Sequence, residues 1–255
     1  MASDSTVPVE LFVRHCDGQM VPLNQSLSYF SVIPLDDADL QRLIFDPASA
    51  IPPKLASLLP KLRIIIVAYL ERSSGKNGDE EGEILVSFRP PARSRRLYST
   101  VVERGDEVYI FLAVKGEDVA DYHDTLYYEI ARLIVRRAGD DLVGRFRDLV
   151  DEELGSEVRG EIDDRGWKLK QQVLRRQTDL TRNTKLMRDY LEQALADTLT
   201  LYLHGLCCDI DIEAGPRQLN SRNIRRRLTL LRDTLPPPSG VALFPEELAP
   251  QDQFE

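Results

Sequence analysis

The sequence has no apolar run long enough to cross a bilayer: its longest, Ile64 to Leu70, has seven residues against the roughly 20 that a spanning helix needs. No membrane partner is therefore expected. Met1 to Pro8 carries Asp4 and lacks the basic start and apolar stretch of a secretory signal, so export is not indicated and a soluble, cytoplasmic chain is expected. The three cysteines, Cys16, Cys207 and Cys208, supply neither a disulfide framework nor a CxxC metal spacing. P-loop, GxGxxG and GxSxG patterns are all missing, which removes sequence support for nucleotide hydrolysis and serine-type acyl transfer. A formal charge of −9 argues against attraction of the whole surface to nucleic acid or anionic lipid, and leaves room only for local basic patches.

What is present is an ordinary globular composition, 42% hydrophobic and 29% charged over 255 residues. The first half reads as strands. Lys61–Leu70, Glu83–Phe88, Leu97–Glu103 and Glu107–Val114 are short and rich in Val, Ile, Tyr and Phe, and they suggest a mainly antiparallel meander with a tight turn at Arg104-Gly105-Asp106. Ser73–Gly82 has no apolar residue and reads as an exposed loop. Short helices are expected at Asp36–Phe45 and Lys54–Leu59.

From Val119 the apolar period changes to three or four residues. Helices are expected over Asp118–Arg137, Asp141–Leu154, Trp167–Gln177, Thr184–Leu206 and Asn220–Leu235, the last stopped by Pro236-Pro237-Pro238. Strands first and helices afterwards predict an α+β fold, an antiparallel sheet covered by helices. The expected organisation is one domain over 1–235, strand-rich to 115 and helical from 118, with a Pro-rich extended tail over 236–255. Val241, Leu243 and Phe244 in that tail need cover, so the tail is expected to dock.

The stretch Thr125–Ile134, TLYYEIARLI, resembles the active-site helix of the zincin metallopeptidases, in which a similar apolar pattern surrounds His-Glu-x-x-His. Here it reads Tyr128-Glu129-Ile130-Ala131-Arg132, so the glutamate matching the general base is present and both histidine positions are replaced. Arginine cannot lose its proton and tyrosine is a rare zinc ligand, so the resemblance implies a degenerate, gluzincin-like member with Glu129 as a relic and no bound metal. A third-ligand position would fall at Glu192 or Asp197. The plainer reading is that Tyr128, Glu129 and Arg132 decorate an amphipathic helix.

A relocated metal site would draw on His123, Glu129, Asp197 and His204. Asp197 and His204, seven apart, share a helix face, whereas His123 and Glu129, six apart, point about 120° from each other. Asp209–Glu213, DIDIE, lacks the spacing of a calcium loop and reads as a solvated edge. The dense basic stretch 217–232 places Arg222, Arg225 and Arg226 on the polar side of a helix, where either internal salt bridges or the binding of an acidic protein partner is expected, with these three as the candidate partner-binding residues. Nucleic acid is less favoured, because neither interleaved aromatics nor a helix-turn-helix is evident. These observations point to a non-catalytic binding or scaffold protein without a cofactor; a metal-dependent hydrolase and a nucleic-acid-associated protein are the alternatives.

Overall fold

A computed structural model describes residues 6–73, 82–176, 179–180, 182–208 and 217–248. The chain forms two compact units, one of Met1–Ala48 with Leu59–Glu129, the other of Ser49–Leu58 with Ile130–Glu255. The expected loop at Ser73–Gly82 lies largely, and DIDIE wholly, outside the described residues.

The first unit opens with β1 (Thr6–Pro8) and α1 (Val9–Cys16), followed by β2 (Val21–Pro22), β3 (Leu27–Ser31), α2 (Asp37–Leu40), a π turn at Gln41–Phe45 and the start of α3 (Asp46–Ser49). It continues through β4 (Lys61–Val67), β5 (Tyr69–Arg72), β6 (Ile84–Ser87), β7 (Arg96–Leu97), β8 (Ser99–Arg104), β9 (Glu107–Ala113) and the first part of α5 (Val119–Val135). Among the described residues there are two sheets, not one antiparallel meander. One is antiparallel, in the order β1-β6-β5-β7; the other is mixed, in the order β2-β3-β4-β9-β8, with β3, β4 and β9 mutually parallel.

The parallel core follows from the residues of β4, where Leu62 and Ile64 to Val67 are all buried. A strand apolar on both faces belongs inside a sheet covered on both sides, which is where parallel strands live. The expected strand Lys61–Leu70 is accordingly divided at Ala68 between the two sheets, and Arg96–Leu97 separates from β8 in the same way. The expected turn between β8 and β9 is present, with Gly105 at φ +63°. Helix α1 packs Val9, Val13 and Cys16 against Ile65, Val67, Tyr109 and Phe111.

The second unit holds α4 (Pro53–Ala56), the end of α5, α6 (Asp140–Gly155), α7 (Asp164–Arg176), α8 (Lys185–Cys207) and α9 (Ser221–Thr234). Thr184 accepts from Met187 N at 3.1 Å and Asn220 from Asn223 N at 3.0 Å, so α8 and α9 each start on a side-chain cap. Nearly every residue of α8 from Tyr190 to Leu206 is buried on all sides, which makes it the central helix of this unit. The tail is not extended throughout. It enters a 3-10 turn at Pro245–Leu248, and Phe244 is buried. No described helix is long and apolar enough to cross a membrane.

Candidate functional site

The buried charges of the helical unit converge on one arginine. Arg227 sits on the apolar stripe of α9 between Ile224 and Leu231 and is 0% exposed. Its Nη2 donates to Glu153 Oε2 at 2.5 Å, while Nη1 donates to Glu161 Oε2 at 2.8 Å and Nη2 to Glu161 Oε1 at 3.0 Å. The Phe146 ring lies 5.6 Å from the guanidinium carbon.

Glu161 reaches this position because its backbone is clamped. Its N–H donates to Arg217 O at 2.9 Å, its carbonyl accepts from Leu219 N at 3.0 Å, and Gly160 beside it takes φ +81°, with Gln218 O only 2.2 Å from where a β-carbon would stand. Only glycine tolerates that approach. Lys170 of α7 donates to Gly160 O at 2.9 Å and to Glu161 at 3.3 Å, and the Tyr190 hydroxyl of α8 donates to Glu161 at 2.5 Å.

Two cations and two carboxylates thus cancel inside the unit, which is what lets them remain charged away from water. Burial works against the Glu161 charge, but Arg227 and then Lys170 hold its carboxyl below the usual range. Burial pulls the Lys170 ammonium down, opposed by Glu161.

Asp197 of α8 stands beside this cluster in a different state. Gln193 Nε2 donates to its Oδ1 at 2.7 Å, whereas Oδ2 is buried without a hydrogen-bond partner. Burial above all, with the carboxylates of Asp163 and Glu161 adding, raises its pKa to about 7. Gln193, itself buried, also lines a groove of about 450 Å³, together with Arg132, Val135 and Arg136 of α5, Arg165, Lys168, Leu169 and Gln172 of α7, and Asp189, Glu192 and Ala196 of α8. A second cavity of about 210 Å³ shares Val135 and Glu192 with it and has an apolar floor of Val143, Phe146, Leu191 and Leu195.

Glu129 is buried and accepts from Ser99 Oγ at 2.8 Å, and Arg132 is exposed on the groove wall with Glu192 opposite on α8. In the first unit His123 Nε2 donates to the Arg42 carbonyl at 2.6 Å, beside Tyr122, whose hydroxyl donates to Leu43 O at 2.7 Å. Both serve the π turn, whose looser winding leaves carbonyls to be satisfied from outside. In the second unit Asp197 and His204 are both buried on α8. On α9, Arg222, Arg225 and Arg226 are exposed; Arg225 pairs with Glu246, and Arg226 with Glu152 at 2.5 Å.

Sequence reasoning did not assign Glu153, Glu161, Lys170, Tyr190 or Arg227 to a site, and of the groove cations it singled out only Arg132. The signal for three of them was a charge on an apolar stripe: Arg227 three after Ile224, Glu153 four after Leu149, and Lys170 three before Val173. Comparison with protein families, with curated proteins and with solved structures gives no match for this chain.

Proposed function

We propose that the chain is a non-catalytic binding protein whose helical unit takes an acidic segment of a protein partner in the groove lined by residues 132–136, α7 and α8. One observation carries this reading. In a chain of net charge −9, the groove presents four cations, Arg132, Arg136, Arg165 and Lys168, against two carboxylates, Asp189 and Glu192. Lys168 is partly answered by Asp164 at 2.5 Å. Arginine forks suit bidentate contact with carboxylates, and local positive charge on an acidic protein steers such a partner to one place.

The zincin resemblance belongs to the same proposal. Thr125–Ile134 would be the remnant of a peptidase helix, making the chain a pseudoenzyme, with Arg132 turned to binding and Glu129 held by Ser99.

The test is binding of a short fluorescein-labelled peptide rich in Glu and Asp, followed by anisotropy, to wild type and to the Arg132→Glu/Arg165→Glu double variant. Wild type should bind and the variant should lose about tenfold, the equivalent of 1.4 kcal/mol. Equal binding by both removes the groove from the function. Preferential binding of a single-stranded oligonucleotide, weakening steeply with salt, would transfer the site to nucleic acid. A stoichiometric transition metal in the purified protein would favour the hydrolase alternative built on His123, Glu129, Asp197 and His204.

A further inference from the structure

We infer that the arginine face of α9 is a recognition surface for an aromatic residue followed by two carboxylates, supplied by a partner protein, and that the chain's own tail occupies it as an internal competitor.

The tail shows the chemistry that this face accepts. Phe244 is 7% exposed, with the guanidinium carbon of Arg225 4.1 Å from its ring centroid and that of Arg232 5.6 Å away. An arginine over an aromatic face is held by the ring quadrupole and by stacking. Glu246 pairs with Arg225. Glu247 accepts from Arg232 Nη1 at 2.5 Å and turns back to accept from the backbone N–H of Leu243 at 3.1 Å and of Phe244 at 3.3 Å. That last pair of bonds makes the segment a self-contained turn, with ring and carboxylates presented on one side.

The ionic part of the hold is weak at Arg225. The Arg225–Glu246 side chains are 54% and 56% exposed, and exposed ion pairs contribute little in water. What favours the tail is its tether. Leu235 is fixed where its carbonyl accepts from the Tyr202 hydroxyl at 2.5 Å, and from there to Leu243 the chain is short. A short tether holds its end at an effective concentration of about a millimolar, so a free segment of the same chemistry must compete against that. The tail therefore lowers the apparent affinity for the partner by the fraction of time that it occupies the face.

The groove between α7 and α8 plays no part in this inference, and the test uses other residues. The probe is a labelled synthetic peptide of residues 239–255, added to the full-length chain. The Phe244→Ala/Glu246→Gln/Glu247→Gln variant, its own tail disabled, should bind the peptide at least about tenfold more tightly than wild type, by the loss of that competition. Adding Arg225→Glu should abolish the gain. A folded triple variant that binds no better than wild type overturns the inference. Should the triple variant not fold, Glu247→Gln alone serves, because Phe244 stays in place; no gain there overturns the inference equally. If wild type instead dimerises with concentration and Arg225→Glu restores the monomer, the occupant is a second copy and the assignment to a different protein falls.

Discussion

A β-carbon on Gly166 of α7 would lie 2.9 Å from Oδ2 of Asp197 on α8, so the glycine is what lets this carboxyl come against the neighbouring helix. Alanine in place of Gly166 gains about 1 kcal/mol of helix propensity. Against that stands overpacking of about 1–3 kcal/mol, because the carboxyl is short, buried and fixed at its other oxygen by Gln193. Gly166→Ala is expected to destabilise the protein by about 1 kcal/mol in urea unfolding. In an Asp197→Ala background the clash is gone, and the same change should become neutral or favourable. A double-mutant cycle that shows no coupling would separate the two residues.

The raised pKa of Asp197 fixes the sign of a pH effect. Between the ordinary Asp value of 3.8 and about 7, the folded state holds a proton that the unfolded chain has released. Stability from this group is therefore complete below pH 3.8 and is lost as pH rises through 7. The groups facing it are Gln193 on its own helix, Asp163 and Glu161 of the preceding loop, and Arg227 of α9. Asp197→Asn mimics the neutral acid, so it should remove that part of the pH dependence and raise the melting temperature at pH 8 more than at pH 5. Melting curves of the two proteins at those pH values decide the matter, and parallel shifts would contradict it.

The helices of the second half were legible because a 3.6-residue period over more than ten residues is hard to mistake, and their ends matched caps visible as Thr184 and Asn220. The sheet was legible as strands but not in pairing. Parallel order among β3, β4 and β9 is a property of the connections, and the run Ile64 to Val67 hinted only that both faces would be buried. Residues 6–31 went unread although Val9, Phe12, Val13 and Cys16 carry the helical stripe of α1. The site was the least legible part. The helical period puts Arg225 and Arg226 on the polar side, where the structure has them, but the two carboxylates that let their neighbour Arg227 be buried come from distant parts of the chain and only the packing around α9 brings them to it.

Arg227 should accordingly dominate the energetics of its helix. Truncating it leaves Glu153 and Glu161 facing each other in the core with Lys170 as their one buried cation. Removing one partner of such a network costs about 3–5 kcal/mol. Arg227→Met is expected to lose that amount in denaturant unfolding, while Arg226→Met, whose pair with Glu152 is exposed, should lose less than about 1 kcal/mol. Similar losses from the two would mean that burial does not distinguish them.

Thiol chemistry offers the last prediction. Cys16 lies at the end of α1, 1% exposed, with its Sγ donating to Phe12 O at 3.1 Å. Burial first and the neighbouring Asp17 carboxylate second push its thiol up to about 12, so at pH 8 the thiolate is about one part in ten thousand. Cys207 and Cys208 are only half-buried at the end of α8. A disulfide reagent added to native protein at pH 8 should therefore reach Cys207 and Cys208 first, and Cys16 only when denaturant is added. Because α1 packs onto Phe111 and Tyr109, the rate at which Cys16 becomes reactive measures local opening of the first unit. Substituting Phe12→Ala should raise that rate without changing the rates at Cys207 and Cys208. Peptide mapping after a timed pulse of labelling checks this, and equal labelling of all three thiols in native protein would show that α1 does not stay packed against the sheet.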